Sequence, residues 1–74
     1  MKITHYRQPR PDFVYDNIDS IGTICRTLSI SFRYVSNYTL IPEKYLYDYR
    51  DGLVYPSKRN YNKLAAFFDW EVWL

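Results

Sequence analysis

Cysteine and histidine are nearly absent: the chain of 74 residues holds one of each, Cys25 and His5. A lone cysteine cannot close an intrachain disulfide, and no cluster of Cys and His exists to hold zinc, so neither a disulfide scaffold nor a metal is expected. No apolar run approaches the roughly 20 residues that cross a bilayer, and the start of the chain lacks the apolar stretch of a signal peptide, which predicts a cytoplasmic protein without membrane contact. Net charge is also scarce, at +2; this permits binding to nucleic acid without announcing it. Paired carboxylates and a placed nucleophile are missing too. His5 falls in a polar leading segment and Cys25 on the apolar face of a predicted helix, so no enzyme and no cofactor is expected.

What is abundant is aromatic and aliphatic surface. Apolar residues make up 47% and aromatic residues 20% of the chain, enough for one small folded domain and too little length for a second. The leading segment, residues 1–16, carries Pro9 and Pro11 among Lys2, His5, Arg7 and Arg10 and reads as an extended basic arm, first as a solvated tail or an added strand, and otherwise as an arm whose Arg7 and Arg10 reach a minor groove. Residues 17–74 read as the domain.

Helical punctuation recurs along that domain. From Asp16, which with Asn17 offers a cap, Ile18, Ile21, Ile24, Cys25 and Leu28 repeat at helical spacing; a rival strand runs through Leu28, Ile30, Phe32 and Tyr34 with period two. Ser31 would cap a second helix bearing Tyr34, Val35 and Tyr38 on one face, followed by a turn at Thr39 and Leu40. Pro42 suits the first turn of a third helix that directs Leu46 and Tyr49 inward and closes at Gly52. Ser57 would cap a fourth, with Tyr61, Leu64, Ala65 and Phe68 as its apolar stripe. Glu71 to Leu74 would add a final turn packing Val72, or a strand edge. The expected fold is all-α, with four to five short helices.

The stretch from Pro56 to Val72, with Pro56-Ser57, Lys63-Leu64-Ala65 and the pair Phe67-Phe68, resembles the closing helices of the lambda-repressor-like (Cro/CI type) helix-turn-helix family. Just before it, Leu46-Tyr47-Asp48-Tyr49-Arg50-Asp51-Gly52 looks like the end of that family's recognition helix. Ile41 falls on its turn hydrophobe, Val35 on its buried leucine and Ser36 on the small residue where the two helices touch. Phe32 departs from the family's usual Gln, Thr39 from its Leu, and the third helix is unusually rich in Tyr and acid. A competing register sets the motif earlier, over Ile24, Cys25, Leu28, Ser29, Ile30 and Val35, with Ser31 to Tyr38 as the reading helix.

The resemblance implies a DNA-binding transcription regulator, a repressor of phage or mobile-element type, acting as a homodimer on double-stranded DNA. By position, Glu43, Lys44, Tyr45 and Asp48 would face base edges. Ser31 and Arg33, together with Ser57, Lys58, Arg59 and Asn60, would meet phosphates at two helix starts. Phe67, Trp70, Trp73 and Leu74 exceed what so small a core is expected to bury and are the candidate dimer contact, with ordinary packing in the core as the favoured alternative for Phe67 and Trp70. An alternative use of the same scaffold is a small modulator that docks its Tyr-rich third helix on a protein. The mixed charge of that helix, with Glu43, Asp48 and Asp51 against Lys44 and Arg50, separates the two readings.

Overall fold

Helix α1 (Asp12–Asp19) begins directly after Pro11, whose extended backbone serves as the N-cap, and Asp12 puts a negative charge in the first turn. The computed structural model describes residues 10–74, and among these the chain is entirely helix, turn and irregular segment, in the order α1, α2 (Ile21–Leu28), α3 (Phe32–Thr39), α4 (Glu43–Arg50) and α5 (Lys58–Phe68). The expected all-α architecture is therefore present, and the rival strand from Leu28 to Tyr34 is not. Its residues are split between the end of α2 and the start of α3.

The beginning of the chain corrects two expectations. Of the arm assigned to residues 1–16, the part from Asp12 on is helix, because Pro11 starts a helix instead of barring one; proline lacks only a donor that the first turn does not need, and residues 1–9 lie outside the described residues. Val14, counted with the arm, is fully buried. The single helix expected from Asp16 is two helices, α1 and α2, broken at Ser20, which sits at φ −93° and ψ 0°. The Ser20 N–H still bonds to the Asp16 carbonyl at 3.2 Å, and the Ser20 carbonyl accepts from the Ile24 N–H at 2.9 Å.

α2 closes at Ser29 in the left-handed region, leaving Leu28 56% exposed rather than on the buried face. Ser31 then caps α3 as expected, its Oγ accepting from the Tyr34 N–H at 3.1 Å. The buried stripe of α3 is Phe32, Val35 and Thr39, so Tyr34 and Tyr38, expected to face inward, stand 51% and 68% exposed. Thr39 is tolerated inside because its hydroxyl donates to the Val35 carbonyl at 2.8 Å and accepts from the Ile41 N–H at 3.3 Å, leaving no polar atom of that side chain unsatisfied.

A turn of three residues, Leu40 to Pro42, joins α3 to α4. Leu40 takes φ +65° to make the reversal, Ile41 plugs the core beneath it, and Pro42 stands one residue ahead of the helix as its N-cap. α4 directs Leu46 and Tyr49 inward and is followed by Gly52 at φ +75°, a conformation that glycine adopts without steric cost. α4 packs on α1, α2 and α3, and α3 also packs on α5. Val14, Ile18, Ile21, Val35, Leu46 and Leu64 meet in that core fully buried, each contributing roughly 1.5–3 kcal/mol through removal from water.

Ser57 caps α5 by accepting from the Asn60 N–H at 3.2 Å. Beyond α5, the chain neither turns helically nor pairs as a strand edge; residues 70–74 lie across the start of the helix. Trp73 is the residue buried there, 7% exposed, and Val72 faces outward. Tyr61 ties three segments together: its hydroxyl accepts from Asn17 Nδ2 at 2.8 Å and donates to the Glu71 carbonyl at 2.9 Å, while Trp70 stacks on its ring.

Candidate nucleic-acid interface

Because Leu46 and Tyr49 anchor α4 to the core, the opposite side of the helix faces away. Lys44 and Tyr45 are exposed and Asp48 half-exposed on that outer side. Lys44 and Asp48 are four residues apart and Tyr45 and Asp48 three, so the three side chains share one surface of the helix. Lys44 Nζ lies 6.0 Å from the centre of the Tyr45 ring. This is a donor, an aromatic body and an acceptor within one turn, a set able to bond to the edge of a base pair.

Glu43 is turned toward α3. Its carboxylate pairs with Arg33 at 4.0 Å and accepts from the Tyr47 hydroxyl at 3.4 Å. Both are weak contacts at exposed groups, and neither fixes the carboxylate strongly. At the other end of α4, Arg50 packs its guanidinium over Tyr47 at 4.9 Å and bonds both oxygens of Asp51, at 2.9 and 3.4 Å. That pairing raises the pKa of Arg50 and holds the Asp51 carboxyl below its ordinary value. Arg50 also passes close to Gly22 of α2, where a Cβ would approach its Cγ to 3.1 Å.

The two helix starts expected to meet phosphate are both formed. At α3, Arg33 is 79% exposed at the side chain, while the Ser31 hydroxyl is occupied by its own cap. At α5, Lys58 and Arg59 are exposed, and Lys58 Nζ lies 5.5 Å from the Trp73 ring. Ser57 is engaged in capping, and Asn60 Nδ2 donates to the Tyr49 hydroxyl at 3.3 Å. Ser57 and Asn60 thus organise the helix start, and the long cations are the groups left to reach outward.

Arg10 has a different place from the one expected. Its Nε donates to the Pro56 carbonyl at 3.1 Å and its Nη2 to the Tyr55 carbonyl at 3.4 Å, with the guanidinium 5.9 Å from the Trp73 ring. It holds the chain ahead of α1 onto the loop before α5 instead of projecting into a groove. Arg7, the other arm candidate, lies outside the described residues. No protein-family model, no curated protein and no solved structure matches the chain.

The four candidate dimer residues differ in exposure. Trp73 is buried by its own chain, Trp70 is stacked between Phe68 and Tyr61, and only Leu74, 94% exposed, stands clear. Phe67 instead joins Tyr34 and Tyr38, with ring centres 6.0 and 5.1 Å away. This aromatic group borders a groove of about 290 Å³ lined by Tyr38, Thr39, Leu40, Lys63, Ala66 and Phe67. Sequence reasoning missed it by placing both tyrosines inward. The signal was available in Thr39, whose hydroxyl can be satisfied within the helix and so permits burial of the stripe rotated away from the tyrosines.

Cys25 is buried, and desolvation pushes its thiol pKa up, the opposite of an activated nucleophile. Among the described residues, no cluster of three His, Cys, Asp or Glu side chains could hold a metal ion, and no helix is long and apolar enough to cross a membrane.

Proposed function

We propose that the chain is a sequence-specific DNA-binding regulator in which α3, the turn Leu40 to Pro42 and α4 act as a helix-turn-helix unit of lambda-repressor-like kind. The observation that carries this reading is that α3 and α4, joined by a three-residue turn, pack closely on each other, whereas α2 and α3, joined by a turn of the same length as the competing register requires, barely touch; Lys44, Tyr45 and Asp48 are presented on the outer side of α4. In such a unit the second helix enters the major groove and its opening turn reads bases. Arg33, Lys58 and Arg59 would neutralise phosphates on either side, giving affinity and register without sequence information. Two copies would bind half-sites about 34–36 Å apart.

A second reading, a modulator that docks α4 on a protein, is favoured by a specific feature. Arg33 is paired with Glu43 and Arg50 with Asp51, so that among the described residues Lys44 is the α4 cation outside any salt bridge. Such a face is close to neutral and rich in tyrosine, a composition common at protein interfaces.

Selection of bound duplexes from a random pool at low salt, followed by titration of the enriched sequence at two salt concentrations, separates the readings. The DNA reading expects one enriched motif and an affinity that falls as salt rises. A pool that stays random, with no salt-dependent binding to any duplex, overturns it.

A further inference from the structure

Charge differs in sign between α1 on one hand and α3 and α5 on the other. α1 carries three aspartates and no base; α3 and α5 together carry Arg33, Lys58, Arg59 and Lys63 and no acid. The groove between α3 and α5 is lined by Tyr38, Thr39, Leu40, Lys63, Ala66 and Phe67, and its one charged lining residue, Lys63, is a base. Arg59 is one helical turn from Lys63 on the same stripe. A symmetric contact between two such grooves would set Lys63 against Lys63 with no acid in either lining, which disfavours self-pairing of this face.

The outer stripe of α1 has the complementary composition. Val14 and Ile18 face the core, leaving Asp12, Tyr15, Asp16 and Asp19 at the spacing of a single helix face. Tyr15 is half-buried, its ring edge-on to Tyr55, and Asp19 accepts from the Tyr55 hydroxyl at 2.7 Å. Asp12 and Asp16 are exposed on either side of Tyr15. This is an acidic ridge with an apolar centre, and the α3/α5 groove is an apolar trough with one base in its lining.

We propose that the groove between α3 and α5 docks helix α1 of a second copy, so that copies associate head to tail. The contact is heterologous, using two different faces of the chain, and so continues from copy to copy unless the rotation closes a ring. Neither face uses Lys44, Tyr45 or Asp48, and the inference stands apart from the DNA-binding reading.

Sedimentation velocity of the full chain over rising concentration, at low and at high salt, tests it with three variants whose helical circular dichroism is checked first. The wild type should associate beyond a dimer, less so at high salt. Lys63→Glu and Asp16→Lys should each lose association, and the double variant carrying both should regain it through the exchanged charges. A wild type that stays monomeric up to millimolar concentration overturns the proposal. So does a species that stops at two copies and ignores Asp16→Lys, since that behaviour belongs to a symmetric interface.

Discussion

Asn62 and Trp73 are joined by two hydrogen bonds through one side chain: Asn62 Nδ2 donates to the Trp73 carbonyl at 2.8 Å, and Asn62 Oδ1 accepts from the Trp73 N–H at 2.7 Å. The amide thereby replaces the strand partner that the last residues lack, and the indole is set down in the core. Asn62→Ala should cost about 1–3 kcal/mol, because two partly buried backbone groups lose their partner. Thermal unfolding measures that loss, and tryptophan emission should shift to longer wavelength in the folded variant. Unchanged stability and emission would mean that the closing segment is held by other contacts.

Leu40 occupies a left-handed conformation while leaving most of its side chain in solvent. Leu40→Gly should therefore stabilise the protein by about 0.5–1 kcal/mol, relief of the steric cost at Cβ outweighing the added freedom of the unfolded chain. Denaturant unfolding checks the sign. A loss of similar size would show that the leucine side chain stabilises the turn more than its backbone strains it.

The elements that local chemistry punctuates were legible in the sequence. Ser31, Pro42, Gly52 and Ser57 each mark a helix end where the structure has one, since capping depends on residues one to three positions away. The break at Ser20 was not legible, because Val14, Ile18, Ile21 and Cys25 continue one apolar stripe across it, and periodicity cannot reveal a bend that keeps the stripe intact. The outward face of α4 followed from Leu46 and Tyr49 being inward. The role of Arg10 did not, because its acceptors, the carbonyls of Tyr55 and Pro56, lie 45 and 46 residues along the chain. The burial of Trp73 is not legible for the same kind of reason, its anchor Asn62 lying 11 residues back in the chain.

Cys25 should behave as a packing residue. Its thiol, buried in α2 and shifted toward higher pKa by desolvation, should react with a disulfide reagent only as fast as the protein opens, and fully once it is unfolded. Rapid stoichiometric labelling of the native protein would contradict the buried placement.

Lys58 and Arg59 stand at the start of α5 with their charges outward. If the chain binds DNA as proposed, replacing both by Ala should weaken binding to all duplexes alike and flatten the dependence of log affinity on log salt by up to about two units. Fluorescence anisotropy across a salt series reads this slope. Loss confined to one preferred sequence would assign these residues to base contacts instead.

In the proposed role α4 reads DNA sequence through its opening turn, and Lys44 carries the sharpest consequence of that proposal. Pro42 and the turn before it set Lys44 at the exposed beginning of α4, the part of such a helix that reaches furthest into a major groove. The decisive measurement is the ratio of affinities for the selected duplex and a scrambled one, compared between wild type and Lys44→Ala at fixed salt. The predicted result is a loss of about 1–3 kcal/mol on the selected duplex and much less on the scrambled one. An unchanged ratio would contradict base reading by Lys44.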